Sequence, residues 1–424
     1  SLEGKVYWQN VRHYMNDASS VADERQAMMG TMPMYTNGTD KGYSLKAEIP
    51  LDKTNLLRVG NELHAYTLND WWPPVAGTAP WMAPDTFWNI NNGRRNLLGT
   101  YAELERQWAP AWTSVFGLRN DMVWMNAGQA AGYSSMYAAD ATAFNGQNHD
   151  KTDANFDFTA TTRFDASAEN AYEFGLARKS QSPNLYERYA WSTNGMAAGM
   201  IGWFGNNMQY VGNLGLRPQT GNTASVSAEW HDAANKDWNV KVTPYYTYVQ
   251  DYIGVNSLGG SLLQFANHDA QIYGFDLSGK KLLLENPSFG NFDVAGTAGL
   301  ARGQQVNNGS SLYRMQPLNA DISLNHHLGG LSNTIEARLV NEKSVTDPLQ
   351  NEQVTPGFAI FNWRTSYQLE NITFAIGIDN ILDKQYYDPN AGNYVSDYTF
   401  NNSAANMPLA AAGRSYNAGM TVKF

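Results

Sequence analysis

The gaps between the apolar stretches of this chain alternate in length, short then long, from one end to the other. Short gaps fall at Asp52–Thr54, Ala109–Pro110, Ala166–Ser167, Ala233–Lys236, Glu285–Gly290, Leu328–Ser332 and Glu370–Asn371. Long gaps fall at 16–41, 68–92, 126–153, 180–221, 254–264, 305–315, 344–357 and 385–412. Between them apolar and polar residues alternate with a period of two, the side-chain period of a strand. Phe156, Phe158, Ala160, Thr162 and Phe164 share one face, as do Val240, Val242, Pro244, Tyr246 and Tyr248. Short turns on one side and long loops on the other are the layout of an outer-membrane barrel. A soluble β-sandwich has no reason to sort its loops by side, and no blade repeat of the kind a propeller needs is present. The expected fold is all-β: one transmembrane antiparallel β-barrel over residues 1–424, with sixteen strands and both ends on the periplasmic side. Backbone polar groups cannot stay unpaired in lipid. Either the sixteen strands close on themselves, or further strands precede residue 1.

Composition agrees with this reading. No run of 18 apolar residues could form a transmembrane helix, yet only 16% of residues are charged and 13% are aromatic. That balance suits a wall that is greasy outside and wet inside. Tyr7, Trp8, Trp108, Trp112, Trp124, Trp230, Trp238, Trp363 and Tyr367 gather near strand ends, where interfacial girdles form. Glu103, Glu105, Asp121, Glu229 and Glu336 are expected to line the lumen. The absence of cysteine excludes disulfides and thiolate ligands within these 424 residues, and the net charge of −10 speaks against a nucleic-acid partner. Ser1 leads directly into the strand-like LEGKVYWQN, so the chain reads as a processed protein or, preferably, as a fragment lacking its N-terminus. No phosphate-binding loop, dinucleotide fingerprint or catalytic triad spacing appears, so the chain is not expected to be an enzyme.

Three segments carry a family resemblance. IGIDNILDKQYYDP (Ile376–Pro389) resembles the N-L-x-D-K-x-Y segment near the end of TonB-dependent outer-membrane receptors, matching at Asn380, Leu382, Asp383, Lys384, Tyr386 and Tyr387. SPNLYERYAWSTNGMAAGM (Ser182–Met200) resembles their P-N-L-Y-E stretch. Gly212–Trp230 is similar to their N-x-x-L-x-P-E stretch, with Gln219 in place of the usual Glu. The closing GRSYNAGMTVKF resembles an outer-membrane assembly signal. Pro183–Tyr189 running into Trp191, Ser192, Thr193 and Met196, together with His13-Tyr14-Met15-Asn16-Asp17 leading into a Met-Pro-Met loop, looks like the copper receptors of this superfamily. The resemblance implies a Gram-negative outer-membrane location, a barrel of about 22 strands and a lumen plug bearing a TonB box. It also implies energy coupling through the TonB–ExbB–ExbD complex. The plug and about six strands are not in residues 1–424, and the family's site takes part of its ligands, including a thiol, from the plug.

Five of the fifteen methionines fall in Met15–Met34. Thioethers are soft ligands that favour Cu(I), and imidazole also suits copper. His13 and Met15 lie two apart on a strand and so share a face. The candidate metal residues are His13, Met15, Met28, Met29, Met32, Met34, Met196 and Met200, with copper as the transported ion. The competing reading is that methionine merely fills irregular packing gaps. His64 and His149 are weaker candidates, and the adjacent His326 and His327 face opposite sides and are expected to be interfacial or solvated. Arg94 and Arg95 could meet lipopolysaccharide phosphates or form a rim charge pair. The leading function is a monomeric, TonB-dependent copper receptor. The alternatives are a receptor for a siderophore or other metal chelate, and a passive sixteen-stranded porin.

Overall fold

The computed structural model describes residues 1–15, 33–75, 82–200, 205–393 and 407–423. The wall opens with β1 (Leu2–Met15), β2 (Met34–Pro50), β3 (Asn55–Trp72), β4 (Phe87–Ala109), β5 (Trp112–Asn126), β6 (Lys151–Asp165) and β7 (Asn170–Gln181). A three-residue strand, β8 (Gln209–Val211), interrupts the next loop. The wall resumes with β9 (Gln219–His231), β10 (Trp238–Gly259), β11 (Leu262–Asn286), β12 (Gly290–Gln305) and β13 (Asn319–Leu328). It ends with β14 (Leu331–Val340), β15 (Phe358–Leu369), β16 (Ile372–Asp379) and β17 (Ser415–Val422). Every wall strand pairs antiparallel with the next, β7 pairing with β9 across the interruption. β8 pairs parallel with the outer end of β11 instead. Among the described residues the wall therefore has the sixteen strands expected. No helix among the described residues is long and apolar enough to cross a membrane.

Registers run unbroken across the wall and fix which face each residue takes. Leu2 pairs with Ala47, Ala47 with Val59, Val59 with Ala102, Ala102 with Leu118 and Leu118 with Phe158. Paired residues lie on one face, and this one is apolar and outward. The opposite face carries ion pairs: Arg58 to Glu103 and Glu105 at 2.7 Å each, Arg119 to Asp121 at 2.8 Å and to Glu62, Arg163 to Glu229 at 3.2 Å. Charges of both signs can sit there because the lumen is wet. The expected girdle residues face outward except Tyr7, whose hydroxyl turns inward to hydrogen-bond Asp40 and His64.

Both chain ends lie at the short turns. The Ser1 ammonium donates to the Glu48 carbonyl, and the Lys423 amide to the Asn371 carbonyl. The turns are held by carboxylate caps. Asp232 accepts backbone N–H groups from Ala234, Lys236, Asp237 and Trp238, which hold its carboxyl down at about 2. Asp52 does the same for Thr54 and Asn55, also at about 2. β1 and β17 each pair on one side only, and β17 is exposed along its length. Among the described residues the sheet thus has two open edges.

Several expected loop boundaries are corrected. The expected loop 68–92 is shorter, since β3 runs to Trp72 and β4 starts at Phe87. The strand expected to begin at 42 begins at Met34, because Met34, Tyr35 and Thr36 pair with Met15, Tyr14 and His13. The expected long loop 254–264 is a tight hairpin, with β10 reaching Gly259 and β11 starting at Leu262. Gly259 and Gly260 take positive φ of 114° and 58°, a conformation open to glycine. Sequence polarity signals the end of the lipid band, but strands go on beyond it when cross-strand pairing continues.

Candidate metal site at the outer mouth

Two loops fold back over the inner face of the wall. One spans 127–150 and carries α1 (Ala138–Asn145); the other, described over 182–200 and 205–218, carries α2 (Leu185–Tyr189) and α3 (Gly195–Met200). Their apolar side chains pack onto the inward residues at the outer ends of β3, β4 and β5. Phe87 stacks between Trp72 at 4.3 Å and Trp191 at 4.9 Å, with Tyr137 edge-on at 5.3 Å. Asn184 starts α2 with a reciprocal cap: its side chain accepts the Glu187 amide at 2.9 Å while Glu187 accepts the Asn184 amide at 2.7 Å. The P-N-L-Y-E segment is thus a helix start aimed into the barrel. One turn on, Arg188 is 2% exposed and donates to Asp153 and to the Leu216 carbonyl, both at 2.9 Å, and to the Met125 sulfur at 3.2 Å. It anchors the loop to the wall.

Register places the candidate ligands relative to this cluster. Met15 pairs directly with Met34, and His13 with Thr36. Thr36 in turn pairs with Asp70 and donates to it at 3.4 Å. Asp70 is 3% exposed and also accepts from Asn89 at 2.7 Å and Tyr186 at 3.2 Å. His13, Met15 and Met34 therefore share the lumen face at the outer end of β1 and β2. Directly opposed strand residues have Cβ atoms about 4.5–5.5 Å apart, and diagonal neighbours about 7–8 Å. Met15 and Met34 are directly opposed, and His13 is the diagonal neighbour of Met34. Met15 is 45% exposed, whereas Met34 packs partly against the apolar cluster.

The remaining candidates divide. Met28, Met29 and Met32 lie outside the described residues. Met196 packs against the same apolar cluster as Met34, and Met200 ends α3. Other methionines near the mouth serve as packing: Met82 is fully buried, and Met125 at the outer end of β5 is 2% exposed. His149 is occupied, its ring nitrogens each 2.9 Å from a backbone carbonyl, those of Ala127 and Phe144. His326 and His327 bond to the Phe289 carbonyl and the Ser332 hydroxyl near the short turns, as interfacial residues would. His64 faces the lumen below His13, its Nδ1 2.5 Å from the Tyr7 hydroxyl. Gly42 permits that approach, since a Cβ there would lie 2.8 Å from the same hydroxyl. Among the described residues no three His, Asp or Glu side chains converge as a metal cage. Thr36 and Asp70 went unread in the sequence because both sat within expected loops, and Tyr186 was read only as part of the P-N-L-Y-E segment.

A second clasp ties the last two long loops. Lys343 is fully buried and donates to Glu352 at 2.5 Å, to the Pro389 carbonyl at 2.9 Å and to Asn390 at 3.1 Å. Burial pulls its ammonium below the ordinary lysine range, and Glu352 opposes that shift. Lys343→Met leaves Glu352 buried without its counter-charge. Protease cleavage within 341–357 should rise by about 100-fold, the equivalent of roughly 3 kcal/mol of lost anchoring. Unchanged cleavage rates in timed digests would show that the clasp does not hold these loops.

The chain matches the model of the TonB dependent receptor-like, beta-barrel family over residues 1–381. It belongs to that family. Receptors of this kind sit in the outer membrane of Gram-negative bacteria, which accounts for the apolar outer face. Among solved structures it is similar to "Copper transporter OprC", with 19% identity and a TM-score of 0.78, covering 100% of this chain and 62% of that one. It is also similar to the FrpB iron transporter from Neisseria meningitidis, at 14% identity and a TM-score of 0.67, covering 100% of this chain and 60% of that one. The ferric yersiniabactin uptake receptor FyuA from Yersinia pestis follows at 13% and 0.66, covering 100% of this chain and 58% of that one. At these identities the likeness concerns the fold. The chain spans about three-fifths of the length of these structures. No curated protein matches its sequence.

Proposed function

We propose that this chain is the larger part of the barrel of a TonB-dependent receptor that takes up copper. The observation that carries the reading is the register that sets Met15 against Met34, with His13 on the same lumen face. Thioether and imidazole donors at the outer mouth select a soft ion by ligand type. The solved structure named as a copper transporter is the likeness with the highest TM-score among those described. The protein is a transporter, not an enzyme. The open edges of β1 and β17 call for more strands before such a wall can stand in lipid, and the length of the solved receptors that this chain does not span is their natural source. A plug from that same region would complete the ligand set and couple the site to the TonB–ExbB–ExbD complex. His64 and Tyr7 lie further down the same wall, where an ion released from the mouth would pass.

The test is uptake by cells producing the full-length receptor. Copper accumulation should rise with the receptor and collapse when the proton motive force is dissipated. Accumulation that follows iron chelates and ignores copper would favour a siderophore receptor instead. Entry that persists without proton motive force would favour a passive pore.

A further inference from the structure

The donor set proposed for the outer mouth is neutral. Thioethers and a neutral imidazole carry no charge, so a cation held there brings its charge in unbalanced. The wall supplies a carboxylate nearby. Asp70 pairs with Thr36, and Thr36 with His13, all on the lumen face. Asp70 is also the diagonal neighbour of Met34, which puts their Cβ atoms about 7–8 Å apart. On β1–β3 the next inward carboxylate is Asp40, four residues below Thr36 and bonded to Tyr7.

Asp70 is costly where it stands. It is 3% exposed, and among the described residues it has no ion-pair partner. Its hydrogen bonds all run toward its own oxygens, from Asn89 at 2.7 Å, Tyr186 at 3.2 Å and Thr36 at 3.4 Å. An ionised carboxylate only accepts, and charge strengthens each such bond. The three donors come from different elements: Thr36 from β2, Asn89 from β4 and Tyr186 from α2. The pocket also carries a cost of its own, since the Asn89 Oδ1 is buried with no hydrogen-bond partner among the described residues. Donors converging on a buried carboxylate that lacks a cation suit an anion whose counter-charge arrives with a ligand.

We infer that Asp70 is the counter-charge of the copper site and couples that site to α2. This rests on the copper reading of the mouth. Asp70 acts as a positioning residue, through its charge and its hydrogen bonds, and not as a ligand. A cation among Met15, Met34 and His13 stabilises the ionised carboxylate, and the ionised carboxylate holds Tyr186 more tightly. Linkage makes the effect reciprocal: α2 seated on Asp70 raises the affinity for the ion. At an effective dielectric constant of about 20, a unit charge roughly 8–10 Å away changes affinity on the order of 20-fold.

The full-length receptor in detergent, titrated with Cu(I) against a competing chelator, tests the inference. Folding is checked by heat-dependent electrophoretic mobility. Asp70→Asn keeps the side-chain volume and should weaken Cu(I) about 20-fold. It should weaken Zn²⁺ by a larger factor, because the loss scales with the charge of the ion. Disturbed ligand geometry would instead cost Cu(I) more, since Cu(I) draws on the thioethers as well as the imidazole. Hydrogen exchange at residues 185–189 should slow when Cu(I) is added to the unaltered receptor. It should not respond to Cu(I) in Asp70→Asn or in Tyr186→Phe, and Tyr186→Phe should lose less Cu(I) affinity than Asp70→Asn. Equal Cu(I) affinity in Asp70→Asn overturns the inference while leaving the copper site in place. Copper-slowed exchange that survives Tyr186→Phe overturns the coupling, and it does so even where Asp70→Asn fails to fold. A receptor that binds no Cu(I) at all removes the copper reading, and this inference with it.

Discussion

A full-length receptor carrying Met15→Leu and Met34→Leu together is expected to bind Cu(I) about 100-fold more weakly, or worse. Outer-shell partners of a metal site already cost about 10–100-fold when lost, and two direct donors should cost at least as much. Leucine is close to methionine in volume, and such swaps usually cost less than about 1.5 kcal/mol. The strand pairing that sets the two residues opposite each other should survive. Only the sulfurs go. His13→Ala should weaken copper as well, and it should weaken Zn²⁺ too, because imidazole serves both ions while thioether favours copper. The leucine pair should leave weak zinc binding unchanged. Met82→Leu is the control, being buried away from solvent. Competition with a Cu(I) chelator measures each variant. If the leucine pair binds copper as tightly as the unaltered receptor, the site is elsewhere. A Met28, Met29 and Met32 triple leucine variant then tests the neighbouring segment.

The second large effect is expected at Arg188. It joins α2 to the wall through Asp153, and both are nearly out of water. The pair is imperfect, since Arg188 Nε and Asp153 Oδ2 have no hydrogen-bond partner among the described residues. Removing one member of a buried pair costs about 3–5 kcal/mol, largely because the other charge stays behind. Arg188→Met should therefore release the 182–218 loop while the barrel remains folded. Hydrogen exchange at residues 185–189 should accelerate by two to three orders of magnitude, at about 1.4 kcal/mol per factor of ten. Adding Asp153→Leu removes the stranded charge and should restore most of the protection. Equal exchange in all three proteins would mean that the aromatic packing around Phe87 holds the loop and the ion pair does not. Because that loop roofs the lumen beside Met34, its release should also change the rate at which copper reaches the site.

Much of the wall was legible in the sequence because a membrane barrel writes its two solvents into alternate residues. Phe156 to Phe164 and Val240 to Tyr248 face lipid as their period requires, and the sixteen strands follow from the alternation of gap lengths. The motif residues were legible as a family mark but not as geometry. Asn380 is an example: it takes a positive φ of 50° and closes the turn after β16, bonding Lys384 through both ends of its amide. Periodicity has no term for such a loop.

What the sequence determined by itself was period, topology and the side on which the methionines gather. It left open which face of β1 is the lumen, because Trp8, Arg12 and Tyr14 are no more lipid-like in composition than Tyr7, Val11 and His13. Only the tertiary structure decided that, through registers running from His13 to Thr36 to Asp70 and from Leu2 across to Phe158. A strand's two faces are equivalent until its neighbours are paired, and pairing is a long-range fact. The same pairing turned Met34 from a loop residue into the partner of Met15, and divided Arg94 from Arg95 between lipid and lumen.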